Sequence, residues 1–205
     1  GAIAGVNGGG FIDPEGMGNG FKPNGIVMSG GEIYYLDVPP DKPLHVIGID
    51  DKGILIAGKY SANELVQMNV REAVSFSPRF IVNGEGLIKS HAEGWGLAPR
   101  TAIAQRKDGT IMFAIIDGRQ INHSLGATLY DLQQLFLERD AIIAANLDGG
   151  SSTVLVYGDE IVNRPASPYG ERYLPTAWLV FEDPNIDIPN IWEGIDIDDI
   201  DPSKW

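Results

Sequence analysis

The sequence predicts an α+β domain: a largely antiparallel, twisted sheet with a few flanking helices. Three observations carry that expectation. Short apolar runs of strand length recur along the chain, most of them closed by Gly, Pro, Asn or Asp turn formers. Only two segments open with a capping box and continue at helical spacing. No internal repeat is present.

Taken in order, Ala2 to Val6 is a short small-apolar strand that runs into Asn7-Gly-Gly-Gly-Phe11. That glycine loop fits an anion cradle or a tight turn, and it lacks both GxGxxG and the Walker lysine pattern. Asp13 to Gly20 continues as a loop rich in turn formers. Ile26–Met28 and Glu32–Val38 read as strands joined by Ser29-Gly-Gly31. Leu44–Ile49 and Ile54–Ala57 read as a hairpin about Asp50–Gly53. Ser61 and Glu64 have capping-box spacing and open a short helix to about Met68. Phe76–Val82 is expected as one strand, turned by Asn83-Gly84 into Leu87-Ile88, and His91–Pro99 is a loop containing Trp95. Arg100–Ala104 and Ile111–Ile116 pair across Lys107-Asp-Gly109, and the second is expected to be a central strand ending at Asp117-Gly-Arg119. Thr128 and Asp131 repeat the capping-box spacing, and Leu129, Leu132, Leu135 and Phe136 then share one helical face. Ile142–Tyr157 follows, with two strand-like runs around the polar turn Asn146–Thr153; this segment alone fits an ordinary Asp-Gly hairpin loop as well as a site. Ile161–Asn163, a loop through Arg172 and a strand Thr176–Phe181 complete the domain. Residues 1–181 are expected to form the domain and 182–205 a poorly ordered acidic tail.

Composition narrows the function classes. At 205 residues the chain can bury a real core. Its net charge of −13 argues against nucleic acid or an anionic membrane as the main partner. From Glu182 to Trp205 there are eight acids and one lysine, so about half of that charge belongs to the tail. With no cysteine, disulfides and thiolate metal sites are excluded. No apolar run reaches 18 residues, and the start is not a signal peptide.

Three groups of residues can carry chemistry. Asp117, Asp148 and Glu171 are carboxylates at turns beside glycine or arginine, the residue type that glycosidic hydrolysis requires. Arg100, Arg119, Arg164 and Arg172 lie on the same loops, and guanidinium forks match phosphate oxygens. Asn7, Thr101, Asn146, Ser151, Ser152, Thr153 and Asn163 suit sugar hydroxyls, although they are equally typical turn caps. His123 is a loop histidine that could serve as a general acid, and His45 reads as structural. Oxygen ligation of calcium or magnesium around Asp148 and Asp117 is chemically compatible, but no EF-hand-like loop is present, so the default is a site without a required metal.

Several ordered motifs give a family resemblance: Gly5-Val-Asn-Gly-Gly9, Pro99-Arg-Thr-Ala-Ile103, Lys107-Asp-Gly109, Asp117-Gly-Arg119, Gly126 to Leu132, Asn146-Leu-Asp-Gly-Gly-Ser-Ser-Thr153, and Asn163-Arg-Pro165 with Glu171-Arg172. Together, over residues 2 to about 181, the chain resembles the phosphodiester glycosidase domains, a family that includes the uncovering enzyme acting on N-acetylglucosamine-1-phosphodiesters and bacterial exopolysaccharide-biosynthesis-like proteins. Gly10 precedes a single Phe11 where the family often has two aromatics. The central turn has one glycine fewer before its serines. The family's strands ahead of Asn-Gly-Gly are not in this sequence, which leads us to expect a trimmed N-terminus.

The resemblance implies hydrolysis of a sugar-1-phosphodiester or phosphoglycan, with an extracytoplasmic setting. It implies Asp148 and Glu171 as the principal carboxylates, with Asp117 as a further catalytic-site carboxylate. Asn7, Arg100, Thr101, Asn146, Ser151, Ser152, Arg164 and Arg172 are the implied substrate-binding residues. Two other readings stay open at this stage, a non-catalytic glycan-binding or polymer-assembly module and a phosphodiesterase that cuts the P–O bond.

Overall fold

The computed structural model describes residues 1–183 apart from Glu15, Met17, Asn19 and Tyr169. The expected acidic tail lies, beyond Asp183, outside the described residues. In chain order the strands are β1 (Ala2–Asn7), β2 (Ile26–Ser29), β3 (Glu32–Leu36), β4 (Leu44–Asp50) and β5 (Leu55–Tyr60). Helix α1 (Ala62–Gln67) precedes β6 (Val70–Val74), β7 (Arg79–Val82), β8 (Glu85–Gly86), β9 (Arg100–Arg106) and β10 (Ile111–Ile116). Helix α2 (Leu129–Leu137) leads into β11 (Ala141–Asn146), β12 (Leu155–Tyr157), β13 (Glu160–Ile161) and β14 (Ala177–Phe181).

The strands form three sheets, in the orders β3-β2-β6-β4-β5, β10-β9-β11-β7-β8 and β13-β12-β1-β14. Strand pairing is antiparallel throughout the described residues. The antiparallel part of the expectation therefore holds. With two short α-helices and three sheets, the molecule is more sheet-rich than an even α+β mixture.

Each helix covers one sheet. Both helices start in a complete capping box, at Ser61–Glu64 and Thr128–Asp131, so two orphan amide donors are satisfied at each N-terminus. Helix α2 buries Leu129, Leu132 and Phe136 against Phe80, Ile81, Ala102, Ala104 and Ala144 of the second sheet, and Phe136 stacks on Phe80 at 6.2 Å. Truncating Phe136 to alanine would cost about 3–5 kcal/mol at such a site. Helix α1 closes a smaller core over the first sheet through Ala62 and Leu65.

A third core joins all three sheets. Val6 and Trp178 come from the sheet holding β1, Ile47, Leu55, Ala57 and Val74 from the first, and Ile103 and Ala145 from the second, with Leu147 just beyond β11. Strand β9 is buried from Arg100 through Gln105, because one face meets α2 and the other meets this shared core. The loops leaving β1 and β11 and the loop entering β9 consequently emerge close together.

Three expectations need correction. Phe76–Val82 is not one strand, since β7 begins only at Arg79, and the unpredicted β6 lies at the centre of the first sheet. Arg71 and Glu72 interrupt the apolar pattern of β6, and Asn69, at φ 55°, turns the chain from α1 straight into it. Strand β10 is an edge strand rather than a central one. Strands β11 and β12 belong to different sheets, so Asn146–Thr153 crosses between sheets and is no hairpin loop.

Candidate active site

The crossing from β11 to β12 is stitched to both neighbouring strands. The Asp148 amide donates to Gly8 O at 3.1 Å, and Asn7 Nδ2 donates to Asp148 O at 2.6 Å. Asn7 Oδ1 accepts from Thr101 Oγ1 at 2.6 Å and from the Val154 amide at 3.2 Å. The Leu147 amide donates to Thr101 O and the Gly150 amide to Pro99 O, each at 2.9 Å. Residues 150–152 form one 3-10 turn, and Gly150 sits at φ 61°, where an L side chain would be strained and would press on Arg119. Asn146 Oδ1 and Thr153 Oγ1, at the two ends of the crossing, are buried without partners among the described residues, an arrangement that costs stability.

Asp148 is the perturbed carboxylate. Burial pushes its carboxyl above the ordinary aspartate value, and the nearby Asp13 carboxylate adds to the rise; the Ser152 hydroxyl, the Gly149 amide and Arg172 oppose it without cancelling it. The Gly149 amide donates to Asp148 Oδ1 at 2.9 Å. Arg172 donates through Nη1 to Ser152 Oγ at 3.0 Å and forms an ion pair through Nη2 with Asp13. Its guanidinium lies over the Phe11 ring, 5.3 Å from the centroid. The two side chains of this pair are only 13 and 14 % exposed. Asp13 also accepts from the Gly18 amide.

Asp117 is built in the opposite way. Its Oδ2 accepts from His123 Nε2 at 2.7 Å, and its Oδ1 accepts from Asn163 Nδ2 at 2.9 Å and from the Arg164 amide at 3.0 Å. Burial alone would raise its carboxyl, but these hydrogen bonds outweigh it and hold the group below its ordinary value. Asn163 continues to Thr153 O at 3.2 Å, and Arg119 Nη1 reaches Ser151 Oγ at 3.3 Å. The Asp117–Arg119 loop is thereby tied to the crossing that carries Asp148.

The residues singled out from sequence divide into two groups. Ser152 meets both Asp148 and Arg172, and Asp117 with Ser151 adjoins them through Asn163 and Arg119. Asn7, Thr101 and Asn146 lie beneath the crossing, buried and bonded to other protein groups. Arg100 is buried, with Nε on Ala127 O, Nη2 on Gly96 O and its Cζ 5.5 Å from the Trp95 centroid. Desolvation, then repulsion from Arg119, lowers its pKa. Arg164 engages Asp117 through its backbone while its residue is exposed. Glu171 is exposed, with no hydrogen bond or ion pair to another described residue. Asp13 was not among the candidates, since only the fold brings it to Arg172, 159 residues away. No three His, Cys, Asp or Glu side chains converge as a metal site among the described residues.

An antiparallel three-sheet scaffold with a half-buried, desolvated aspartate on a glycine-serine crossing defines a class of site rather than one protein. A family model for phosphodiester glycosidases matches residues 1–181, so the chain belongs to that family. A curated relative, the SPbeta prophage-derived uncharacterized protein YomE of Bacillus subtilis (strain 168), is 35% identical over 89 residues, covering 43% of this chain but 14% of YomE. Among solved structures, the catalytic domain of zebrafish N-acetylglucosamine-1-phosphodiester alpha-N-acetylglucosaminidase, auto-inhibited by its pro-peptide, superposes with TM-score 0.66 at 21% identity, over 87% of this chain and 61% of that one. A Burkholderia pseudomallei K96243 protein provisionally described as exported superposes with TM-score 0.60 at 17% identity, over 87% of this chain and 66% of that one. These structures share the fold. In each case the chain spans less than two thirds of the relative.

Proposed function

We propose that this protein hydrolyses the glycosidic bond of a sugar-1-phosphodiester, releasing a free sugar and leaving a phosphomonoester on the remainder of the substrate. The observation that carries the reading is Asp148: a half-buried carboxylate, raised by desolvation, beside Ser152 and Arg172 on the family's central turn. Ionised, Asp148 would act at the anomeric carbon as the base for water or as the nucleophile. The C–O bond to phosphate breaks, and the electron pair leaves on phosphate oxygen. A phosphate leaving group needs little protonation, so one carboxylate can carry most of the chemistry.

The other roles follow from how each group is engaged. Arg119 is exposed, and Ser151 is its hydrogen-bonded partner, which supports it as a phosphate ligand. Arg172, anchored by Asp13 and Ser152, supplies fixed positive charge beside Asp148. Arg100, held by two carbonyls and Trp95, shapes the wall. Glu171, exposed and next in sequence to the anchored Arg172, is the second carboxylate in this reading. Asn7, Thr101 and Asn146 position the crossing, and Asp117 with Asn163 and the Arg164 amide braces it. An extracytoplasmic setting and a cell-envelope or exopolysaccharide substrate belong to the same proposal, as does the division into a 1–181 domain and an acidic tail. The exported description of the Burkholderia relative supports the setting.

The test is a product assay on a panel of sugar-1-phosphodiesters, run in 18O-water with and without EDTA. Free sugar carrying the label is the expected result. Label in phosphate would instead establish P–O cleavage, and binding without turnover on the whole panel would make the protein a glycan-binding module.

A further inference from the structure

A concavity lies beside the site, lined mostly by groups that have no part in the proposed reaction. It is an open depression of roughly 330 Å³, and its walls include Trp95, Phe76, Asn24, Asp37, His45 and Ser77. Phe76 and Trp95 meet edge-to-face at 6.0 Å, and Trp95 is 45 % exposed. Asp37 uses Oδ2 to accept from the Gly25 amide at 2.7 Å. The Asn24 and His45 side chains are exposed and have no hydrogen bond to another described residue. Neither lysine nor arginine lines the cavity.

The cavity lies close to the Asp148 crossing. Gly8 O receives the Asp148 amide, and Gly10, two residues on, lines the cavity; two residues span at most about 7 Å. Ser77, on the opposite wall, accepts at its carbonyl from Asn146 Nδ2 at 3.2 Å. Trp95 itself lies against Arg100.

We propose that this cavity is a subsite for an uncharged pyranose unit of the substrate, adjoining the reacting linkage. A pyranose has an apolar C–H face and a rim of hydroxyls. The aromatic pair supplies the matching apolar wall, while Asn24, Asp37 and His45 supply acceptors and donors for the rim. An anionic ligand is disfavoured, because the fixed charge on the wall itself is the Asp37 carboxylate, and the cation behind it, Arg100, is covered by Trp95 with Nε and Nη2 donating to backbone carbonyls. The link to the Asp148 substrate rests on the glycosidase reading; the sugar-binding claim can be measured without it.

The experiment is saturation-transfer NMR together with 15N shift mapping of the full chain. The probes are the methyl glycosides of glucose, galactose, mannose and N-acetylglucosamine, with uridine as a competing ring. At least one glycoside is expected to bind and to shift the Trp95 indole and the amides of Gly25, Ser75 and Ser77. Trp95→Ala should weaken that binding about tenfold, the loss expected for one aromatic contact. Asn24→Ala, at an exposed side chain, should weaken it severalfold and guards against a fold effect in the tryptophan variant. The subsite is overturned if no glycoside binds, if only uridine binds, if the shifts cluster elsewhere, or if both variants bind as wild type. Because these probes contain no phosphodiester, failure of the cleavage assay and failure of the subsite are separately visible.

Discussion

Asp148 and Asp117 lie on adjoining loops and have opposite environments. Asp148 is half-buried with its carboxyl desolvated, has another carboxylate nearby, and its ionisation is disfavoured; Asp117 has its oxygens met by an imidazole, an amide side chain and a backbone N–H. On the proposed reading, the contrast separates a group held ready to react from one that holds the loops in place. A carboxylate saturated by protein donors has little capacity left for a substrate. One that the fold keeps above its ordinary pKa is a stronger base near neutral pH.

The most severe test is Asp148→Asn. Turnover on a cleavable sugar-1-phosphodiester should fall about 10²–10⁴-fold, with the fold unchanged by circular dichroism. Stability should move the other way. Because the folded-state pKa of Asp148 is raised, its ionisation costs stability above that pKa and nothing below the unfolded value. The variant should therefore melt at or above the wild-type temperature at neutral pH, and that advantage should vanish in acid. In wild type, kcat/KM should decline on the acid side through a pKa above that of an ordinary aspartate. Near-wild-type turnover in the variant would remove Asp148 from the chemistry.

Next in size is Arg172→Ala, which strips the partner from Asp13 and a donor from Ser152. Breaking a largely buried ion pair costs about 3 kcal/mol, readable as a lower denaturant midpoint. Activity should fall as well, and the acid limb should shift upward because a positive charge leaves Asp148. An unmoved limb would mean that Arg172 does not act on Asp148.

Asp117→Asn should cost about 1–3 kcal/mol, since it disturbs several hydrogen bonds at once. Its folded-state pKa is depressed, so the stability it contributes is present above the unfolded value and is lost as pH falls through the folded one. The gap between wild type and variant should therefore narrow in acid, the reverse of the cost that Asp148 imposes. Chemical denaturation at two pH values measures both slopes.

Local chemistry made much of this architecture legible and hid the rest. Helix α2 could be read from Thr128, Asp131 and its apolar face because those signals lie within a few residues of each other. The hairpin of β4 and β5 was equally visible from Asp50–Gly53. Strand β6 was not, because charged Arg71 and Glu72 blur a five-residue pattern whose partners are supplied by distant β2 and β4. The site divides along the same line. Asp148 and its serines stand together in sequence, whereas Asn7 serves Asp148 from 141 residues away and Asp13 serves Arg172 from 159. Asparagine in a glycine loop has the same local appearance whether it faces a ligand or a backbone carbonyl. Only the fold reveals that Asn7 is 1 % exposed with both amide atoms engaged.

The smallest expected effect falls on His123. Its bond to Asp117 joins side chains that are 41 and 15 % exposed, and an imidazole open to solvent on one side contributes little to stability, roughly 0.2–1 kcal/mol. Asp117 would keep Asn163 and the Arg164 amide when the ring is removed, so the brace should survive His123→Ala. Turnover should stay within about threefold of wild type, well inside the range that loss of a general acid or base produces. A loss of two orders of magnitude with unchanged stability would give the imidazole a direct part in the reaction. Asp117 would then be the residue that orients it, and the division between a reacting and a bracing carboxylate would have to be redrawn around an Asp–His pair.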